Sequence, residues 1–157
     1  MLLEAQNRAR WDRGQIAAGL QALEEAERLA ARPGPYQLQA TIAACHARAA
    51  TAAETDWSRI AALYGELLRI IPSPVVELNR AVAVSRAEGP RAGLQLLDAL
   101  ASHPALARYH LLHAARADLL ERLGDREEAR REYARAATLT ENARQRERLK
   151  ARAAALE

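Results

Sequence analysis

An all-α fold built from helical hairpins is predicted by three features of this 157-residue sequence. Half of the residues are hydrophobic, yet Phe is absent and only 4% are aromatic. Ala and Leu therefore supply most of the apolar positions, which favours close helix packing over a sheet. Apolar side chains also recur at helical spacing along most of the chain. Finally, similar segments return after about 34 residues, the period of a helical-hairpin repeat.

The clearest hairpin runs from Tyr109 to Asn142. Gly124 marks the break between its two helices, and Asp125 with Glu128 forms a D-x-x-E capping box for the second helix. That helix presents small, aromatic and small residues at i, i+4 and i+7 of one face: Ala129, Tyr133 and Ala136. This pattern is typical of a tetratricopeptide-type (TPR) repeat. Such a hairpin cannot bury its apolar face alone, so neighbouring hairpins are expected.

The register of the repeats follows from these positions. Tyr64 precedes Tyr133 by about two periods, and an equivalent spacing occurs midway between them at Gly93, Leu97 and Leu100. The predicted hairpins span approximately residues 13–50, 56–88 with an overlapping hairpin at 74–101, and 105–138, followed by a capping helix at 143–156. The sequence thus predicts a single TPR-like domain over residues 1–157, a short right-handed solenoid of about eight antiparallel helices.

Helix boundaries in the first part of the chain are indicated by proline and capping residues. An amphipathic helix from Arg13 to about Ala31 stops at Arg32-Pro33-Gly34. Pro35 opens a second helix that continues to about Ala50. The third helix is expected to start at Asp56 or Trp57, with Thr55 or Asp56 as its cap, and to end before Pro72.

The segment Ser73 to Val84 contains several β-branched residues that suggest a strand, but its polar residues break any two-residue period. The repeat register favours a helix here, with Ser73 as cap and Pro74 at the first position. A break is expected at Glu88-Gly89-Pro90. His103-Pro104 should open the sixth helix in the same way. Asn142 should cap the last helix, with Gln145 at its third position.

Charge and cysteine content limit the possible classes of protein. The net charge is +3, but acids and bases alternate along the helices, which indicates a solvated surface rather than a nucleic-acid footprint. The single cysteine, Cys45, excludes an internal disulfide framework and fits a reducing compartment. No apolar run approaches the roughly 18 residues of a membrane span, and Glu4, Arg8 and Arg10 interrupt any signal-like segment. A cytoplasmic protein without membrane contact is expected.

Candidate catalytic and metal-binding groups are few. His110 and His113 lie at i, i+3, which is half of a metal site, but no further ligand is evident, and packing or a groove surface is the favoured interpretation. Cys45 and His46 are adjacent and would point about 100 degrees apart on a helix, so they do not form a nucleophile–base pair. No Walker loop, dinucleotide fingerprint or nucleophile elbow is present. We expect neither a catalytic residue, nor a cofactor, nor an enzyme.

Three arginines occupy similar places in the first helices of the hairpins: Arg48, Arg80 and Arg116. First helices line the concave surface of a solenoid, so a ladder of arginines there could hold a carboxylate-bearing segment by bidentate hydrogen bonds. Alternatively, each arginine packs its stem between helices and pairs with a local acid, for example Arg116 with Asp118 or Glu121. Trp11 and Trp57 have the same two interpretations, packing between helices or binding a partner. A position in the core is favoured for Trp57.

Four blocks carry a resemblance to a known family: GPYQLQATIAACHA at 34–47, TDW at 55–57 followed by ALYGELL, SPVVELNRAVAV with GPRAGLQLLDAL, and YHLLHAARADLLERLGDREEA. They resemble, in order, the C-terminal extension of a group of bacterial extracytoplasmic-function (ECF) sigma factors, which carries a TPR-like domain behind two promoter-recognising sigma regions. The resemblance extends from about Trp11 to Leu149. One departure is RQRERL at 144–149, where the family has a Phe in E-R-x-F-L, and it concerns the packing of the last helix.

The resemblance implies a regulatory domain that modulates transcription initiation through contacts with the sigma regions or with RNA polymerase. The sigma regions are expected upstream, and DNA would be contacted only through them. The positions shared with the family are Asp56, Trp57, Asn79, Arg80, Tyr109, His110, Arg116 and Asp118. The predicted partner-binding residues are Arg48, Asn79, Arg80, Tyr109, His110, His113, Arg116 and Asp118.

Other functions remain compatible with the sequence. A stand-alone TPR adaptor that binds a peptide of an unrelated protein would share every helix. A nucleic-acid-binding helical domain would use the basic stretch from Arg126 to Arg152, with an affinity that falls steeply with salt, but glutamates are interspersed there. The isolated domain could also form a homodimer through apolar surface that normally meets the sigma regions.

Overall fold

The computed structural model describes residues 6–29 and 32–156, and it confirms the all-α prediction. Within those residues there are no strands but eight α-helices: α1 (Arg13–Leu29), α2 (Pro35–Arg48), α3 (Trp57–Ile70), α4 (Pro74–Ala87), α5 (Pro90–Leu100), α6 (His110–Leu123), α7 (Arg126–Leu139) and α8 (Ala143–Ala154). Two short 3-10 helices, Arg8–Arg10 and Pro104–Leu106, accompany them. No helix in this part of the chain combines the length and the apolar character needed to cross a bilayer.

The chain divides after Pro72 into two compact units. In the first unit, α2 packs against both α1 and α3. Its core is formed by aliphatic side chains that are at most 7% exposed: Leu23, Leu38, Ile42, Ile60, Leu63 and Leu67.

In the second unit, each helix from α4 to α8 packs against the next one along the chain. One apolar cluster joins α4, α5 and α6, and includes Leu78, Leu97 and Leu112. The other joins α6, α7 and α8, and includes Ala117, Tyr133 and Leu149. Because α6 contributes to both clusters, it is the central helix of this unit.

The predicted repeat register is visible in the second unit. The residues at equivalent positions of α5 and α7 are all buried: Gly93, Leu97 and Leu100, and Ala129, Tyr133 and Ala136. A Cβ added at Gly93 would lie 2.4 Å from Ser85 Cβ and 2.8 Å from the carbonyl oxygen of Ala81. The absence of a side chain at Gly93 therefore sets the close approach of α5 to α4.

The predicted helix starts are confirmed by their capping hydrogen bonds. The side chains of Asp56, Asp125 and Asn142 accept from backbone N–H groups three residues later, at 2.9, 3.2 and 3.0 Å. Prolines occupy the first helical position of α2, α4 and α5. The segment after Ser73 is helical from Pro74, as the register predicted, and Ser73 is its N-cap residue but makes no side-chain capping hydrogen bond. Gly124 ends α6 with φ of +88°, the left-handed conformation that glycine adopts without strain.

One predicted boundary is wrong. The sixth helix was expected to begin at residue 105 after His103-Pro104, but only a 3-10 turn forms there, and α6 begins at His110. The reason is local. The His103 side chain accepts a hydrogen bond from Ala105 N and so caps the 3-10 turn. Tyr109 has extended backbone angles (φ −90°, ψ 98°), which interrupt the helical conformation and make it the N-cap residue of α6. The predicted end of the first helix, near Ala31, lies outside the described residues.

Candidate functional site

Helix α6 carries two of the predicted binding residues, His113 and Arg116, toward the same acid on α7. The His113 side chain is 8% exposed, and its Nδ1 lies 2.7 Å from Glu132 Oε2. A carboxylate can only accept, so Nδ1 donates the hydrogen. The other ring nitrogen, Nε2, is buried without a hydrogen-bond partner. His113 is thus a buried inter-helix contact rather than part of an open groove.

Arg116 links three helices. Its Nε lies 3.6 Å from Glu132 Oε1 on α7, and its Nη1 hydrogen-bonds Asp98 on α5. The Arg116 side chain is only 15% exposed. The predicted local pairing of Arg116 with Asp118 or Glu121 is wrong, because these acids lie on another side of α6 and contact α8 instead.

A second polar cluster joins α6, α7 and α8. Tyr133 donates its hydroxyl hydrogen to Glu121 Oε2 at 2.9 Å, and Arg152 Nη2 donates to the same oxygen at 2.5 Å. Arg152 also contacts Asp118 Oδ1 at 3.4 Å and lies over the Tyr133 ring, 4.8 Å from its centroid. Asp118 therefore serves an inter-helix contact in this structure.

These contacts shift the pKa values of Glu121 and Tyr133. Burial favours the neutral form of Glu121, but the hydrogen bonds from Arg152 and Tyr133 outweigh it and hold the pKa of Glu121 below its ordinary value. Burial, followed by the hydrogen bond to Glu121, raises the pKa of Tyr133. Tyr133 therefore acts only as a neutral hydrogen-bond donor at physiological pH.

Four predicted residues are more available to a partner. Asn79 is exposed on α4, and the Arg80 side chain is 34% exposed with its Nη1 2.8 Å from Glu77 Oε1 of the same helix. Tyr109 and His110 are half-buried at the start of α6, with ring centroids 6.0 Å apart. Helices α4 and α6 contact each other within this unit, so these residues belong to adjacent elements.

The remaining predicted residues lie in the first unit. The Arg48 side chain is about half exposed and lies 3.9 Å from Glu24 of α1. Asp56 caps α3, and Trp57 is half-buried with its ring edge against His46, at a centroid distance of 5.2 Å. Asp56 and Trp57 thus have structural roles at the start of α3, and Trp57 is less buried than predicted.

One buried arginine in the first unit was not evident from the sequence. Arg8 is 5% exposed and lies 5.2 Å from the ring centroid of Trp11. Its Nη1 donates to three carbonyl oxygens at 3.0, 2.9 and 2.9 Å: those of His46, Ala49 and Thr51. Its Nη2 donates to Thr55 Oγ1 at 3.0 Å. Arg8 therefore fastens the segment before α1 to the connection between α2 and α3. Carbonyl acceptors leave no pattern of residue types, so no sequence signal could have revealed this contact.

The thiol of Cys45 and the potential metal ligands form no reactive or metal-binding site among the described residues. Burial raises the pKa of the Cys45 thiol, and the Asp56 carboxylate adds to this effect, so Cys45 is not an activated thiolate. In the ranges 6–29 and 32–156 no three His, Cys, Asp or Glu residues are placed to hold a metal ion. Charged and aromatic groups here join helices to one another.

The fold and these contacts define an all-α protein of packed helical hairpins joined by inter-helix polar clusters. The chain is 48% identical over 143 residues to an uncharacterized protein of Rhizobium meliloti (strain 1021). The match covers 91% of this chain and 33% of that protein, so the chain spans about a third of the length of its curated relative. No protein-family model matches the chain, and no solved structure matches it.

Proposed function

We propose that this chain is a protein-interaction domain that regulates an ECF sigma factor, through contacts with the sigma regions or with RNA polymerase. The observation that carries the proposal is the extent of the Rhizobium match, which takes in nearly this whole chain but only a third of the relative. A helical-hairpin module that forms part of a longer protein is consistent with a regulatory extension. The choice of the sigma regions or RNA polymerase as the partner rests on the resemblance of the sequence blocks to the ECF extension.

The surface proposed for this contact is the exposed part of α4 and the start of α6, formed by Asn79, Arg80, Tyr109 and His110. Arg80 can offer a carboxylate partner further N–H donors, since among the described residues its ion pair with Glu77 engages Nη1 and the Arg80 side chain is 34% exposed. Arg116 and His113 are excluded from direct contact because Asp98 and Glu132 occupy them. Their role is to position α6.

The test is a titration of the domain against the separately expressed sigma regions and against core RNA polymerase, at two salt concentrations. The informative variant is Arg80→Glu, since residue 80 is partly exposed and the new charge would meet only Glu77, at a cost of a few tenths of a kcal/mol to the helix. Arg91→Glu on α5 is the matched control, because residue 91 is likewise a helical arginine at the surface. Unlike Arg80, it has no ion pair among the described residues. Circular dichroism verifies that both variants are folded.

Binding that falls about tenfold or more in Arg80→Glu and is unchanged in Arg91→Glu supports both the partner and the surface. Equal binding by the two variants removes Arg80 from the contact. If neither the sigma regions nor polymerase binds the unmodified domain, the regulatory function itself is rejected. Recovery of an unrelated protein in that case favours the stand-alone adaptor.

A further inference from the structure

A groove of about 450 Å³ lies between α7 and α8, away from the polar clusters of α6. The small side chains that line it, here called its floor, are Ala134, Ala137 and Thr138 on α7, and Ala153 and Ala154 on α8. Its remaining lining residues are all cationic: Arg130, Arg146 and Lys150. No acidic residue lines it.

The cations are distributed along the groove. The three-residue connection between α7 and α8 makes the helices antiparallel, and two hydrogen bonds fix their ends: Arg126 Nη2 donates to the carbonyl of Ala155, and Arg146 Nη2 donates to the carbonyl of Thr140. Arg130 therefore lies toward the end of α8, whereas Arg146 lies beside the connection. Positive charge is present at both ends of the groove.

These cations are only partly compensated. Arg130 is exposed and has no hydrogen bond or ion pair with any described residue. Lys150 contacts Glu147 at 3.2 Å, but both side chains are at least 60% exposed, so the pair is weak. The acids of α7 pair with other residues. Glu127 and Glu128 pair with Arg131, whereas Glu132 contacts His113 of α6.

The shape of the groove suits a helix. Its lining positions span nine residues of each wall helix, from Arg130 to Thr138 and from Arg146 to Ala154, a length of about 12 Å, or two turns. The small side chains of its floor permit a close approach of another backbone. Every helix of this unit from α5 to α7 packs against two sequence neighbours. A helix bound in the groove would pack against α7 and α8 in the same manner.

We propose that the groove between α7 and α8 binds an acidic amphipathic helix of a partner protein, with small apolar residues on its contacting face and carboxylates on both flanks. The small apolar face packs against the alanine floor, and the flanking carboxylates pair with Arg130 at one end, with Arg146 at the other and with Lys150 one helical turn further along α8. This surface is distinct from the one assigned above to Asn79 and Arg80, and the proposal does not require that the partner be a sigma factor.

The test uses a fluorescein-labelled synthetic peptide, about five turns of helix long, with an alanine stripe flanked by glutamates. A second peptide has every glutamate replaced by glutamine. Both are titrated by fluorescence anisotropy into the full 157-residue chain and into three variants: Arg130→Glu, Lys150→Glu and Arg148→Glu. Arg148 is the matched control, because it is an exposed arginine of α8 that does not line the groove.

The expected result is saturable binding of the glutamate peptide that weakens about fivefold in Arg130→Glu and in Lys150→Glu, but by less than about twofold in Arg148→Glu. The glutamine peptide should bind at least about fivefold more weakly than the glutamate peptide. Absence of saturable binding, equal binding of the two peptides, or equal losses in all three variants overturns the proposal. Because Arg80 is unchanged throughout, none of these outcomes bears on the proposed regulatory contact of α4.

Discussion

Replacing Gly93 with alanine is expected to destabilise the second unit by about 2 kcal/mol. The new Cβ would lie 2.4 Å from Ser85 Cβ, 2.8 Å from the carbonyl oxygen of Ala81 and 2.9 Å from Ser85 Cα. All three distances are shorter than those of real Cβ contacts. Two of the three atoms belong to the backbone of α4, so no side-chain rotation can relieve the overlap. Helices α4 and α5 must separate along their contact.

The magnitude follows from two opposing effects. Overpacking a core costs typically about 1–3 kcal/mol, and three simultaneous contacts at these distances place Gly93→Ala near the upper limit. Alanine is favoured over glycine within a helix by about 1 kcal/mol, which offsets part of the cost. The net loss of about 2 kcal/mol corresponds to a decrease of about 4–8 °C in the unfolding temperature for a chain of this size.

Thermal unfolding followed by circular dichroism measures the loss, and hydrogen exchange of the α4 and α5 amides assigns it to the second unit. Gly19→Ala in α1 is the matched control, since a Cβ there would meet no atom of the described residues within 4 Å apart from its own stretch of helix. The same propensity effect should make Gly19→Ala neutral or more stable by up to about 1 kcal/mol.

A Gly93→Ala variant as stable as the unmodified protein, measured beside a stabilised Gly19→Ala variant, would refute the argument. It would mean that α4 and α5 can separate without loss of packing energy.

Two further predictions concern contacts that the sequence did not reveal. Arg8→Met should destabilise the first unit by about 3 kcal/mol, because it removes four charged hydrogen bonds in a buried site. Both tryptophans lie in that unit, so tryptophan fluorescence in urea measures the loss, and a midpoint equal to that of the unmodified protein would contradict a structural role. Glu121 has a pKa depressed in the folded state, so its stabilisation is present above its ordinary pKa of 4.5 and is lost as pH falls through the folded value. Urea midpoints should therefore fall below about pH 4.5 in the unmodified protein and fall less steeply in Glu121→Gln; parallel profiles would exclude the Arg152 and Tyr133 contacts as the cause.

The fold was predictable because its determinants are local. Asp56, Asp125 and Asn142 cap helices through residues three positions away, a distance that the sequence displays directly. The spacing of Gly93 and Ala129 within their helices likewise predicted their burial, since helical periodicity assigns both to the inner face. Where a local effect was misjudged, at His103-Pro104, the 3-10 turn and the extended Tyr109 displaced the helix start by five residues from 105 to His110.

The partners of charged side chains were not predictable in the same way. Arg116 has acids nearby in sequence at Asp118 and Glu121, yet it pairs across helices with Asp98 and Glu132. Residues two and five positions apart on a helix point in different directions, so proximity in sequence did not decide the pairing. Which acids face Arg116 depends on how α5 and α7 pack against α6, and sequence periodicity gives the face of a helix but not its neighbour's register.

The contact from Arg152 to Glu121 extends from α8 to α6, past the helix that lies between them in the chain. In a linear array of helices the final member has one neighbour and is usually the first to fray. Here the Arg152 side chain shares one carboxylate with Tyr133 of α7, so opening α8 leaves Glu121 without its cationic partner. We therefore expect the last three helices to unfold together, because α8 contacts both α6 and α7.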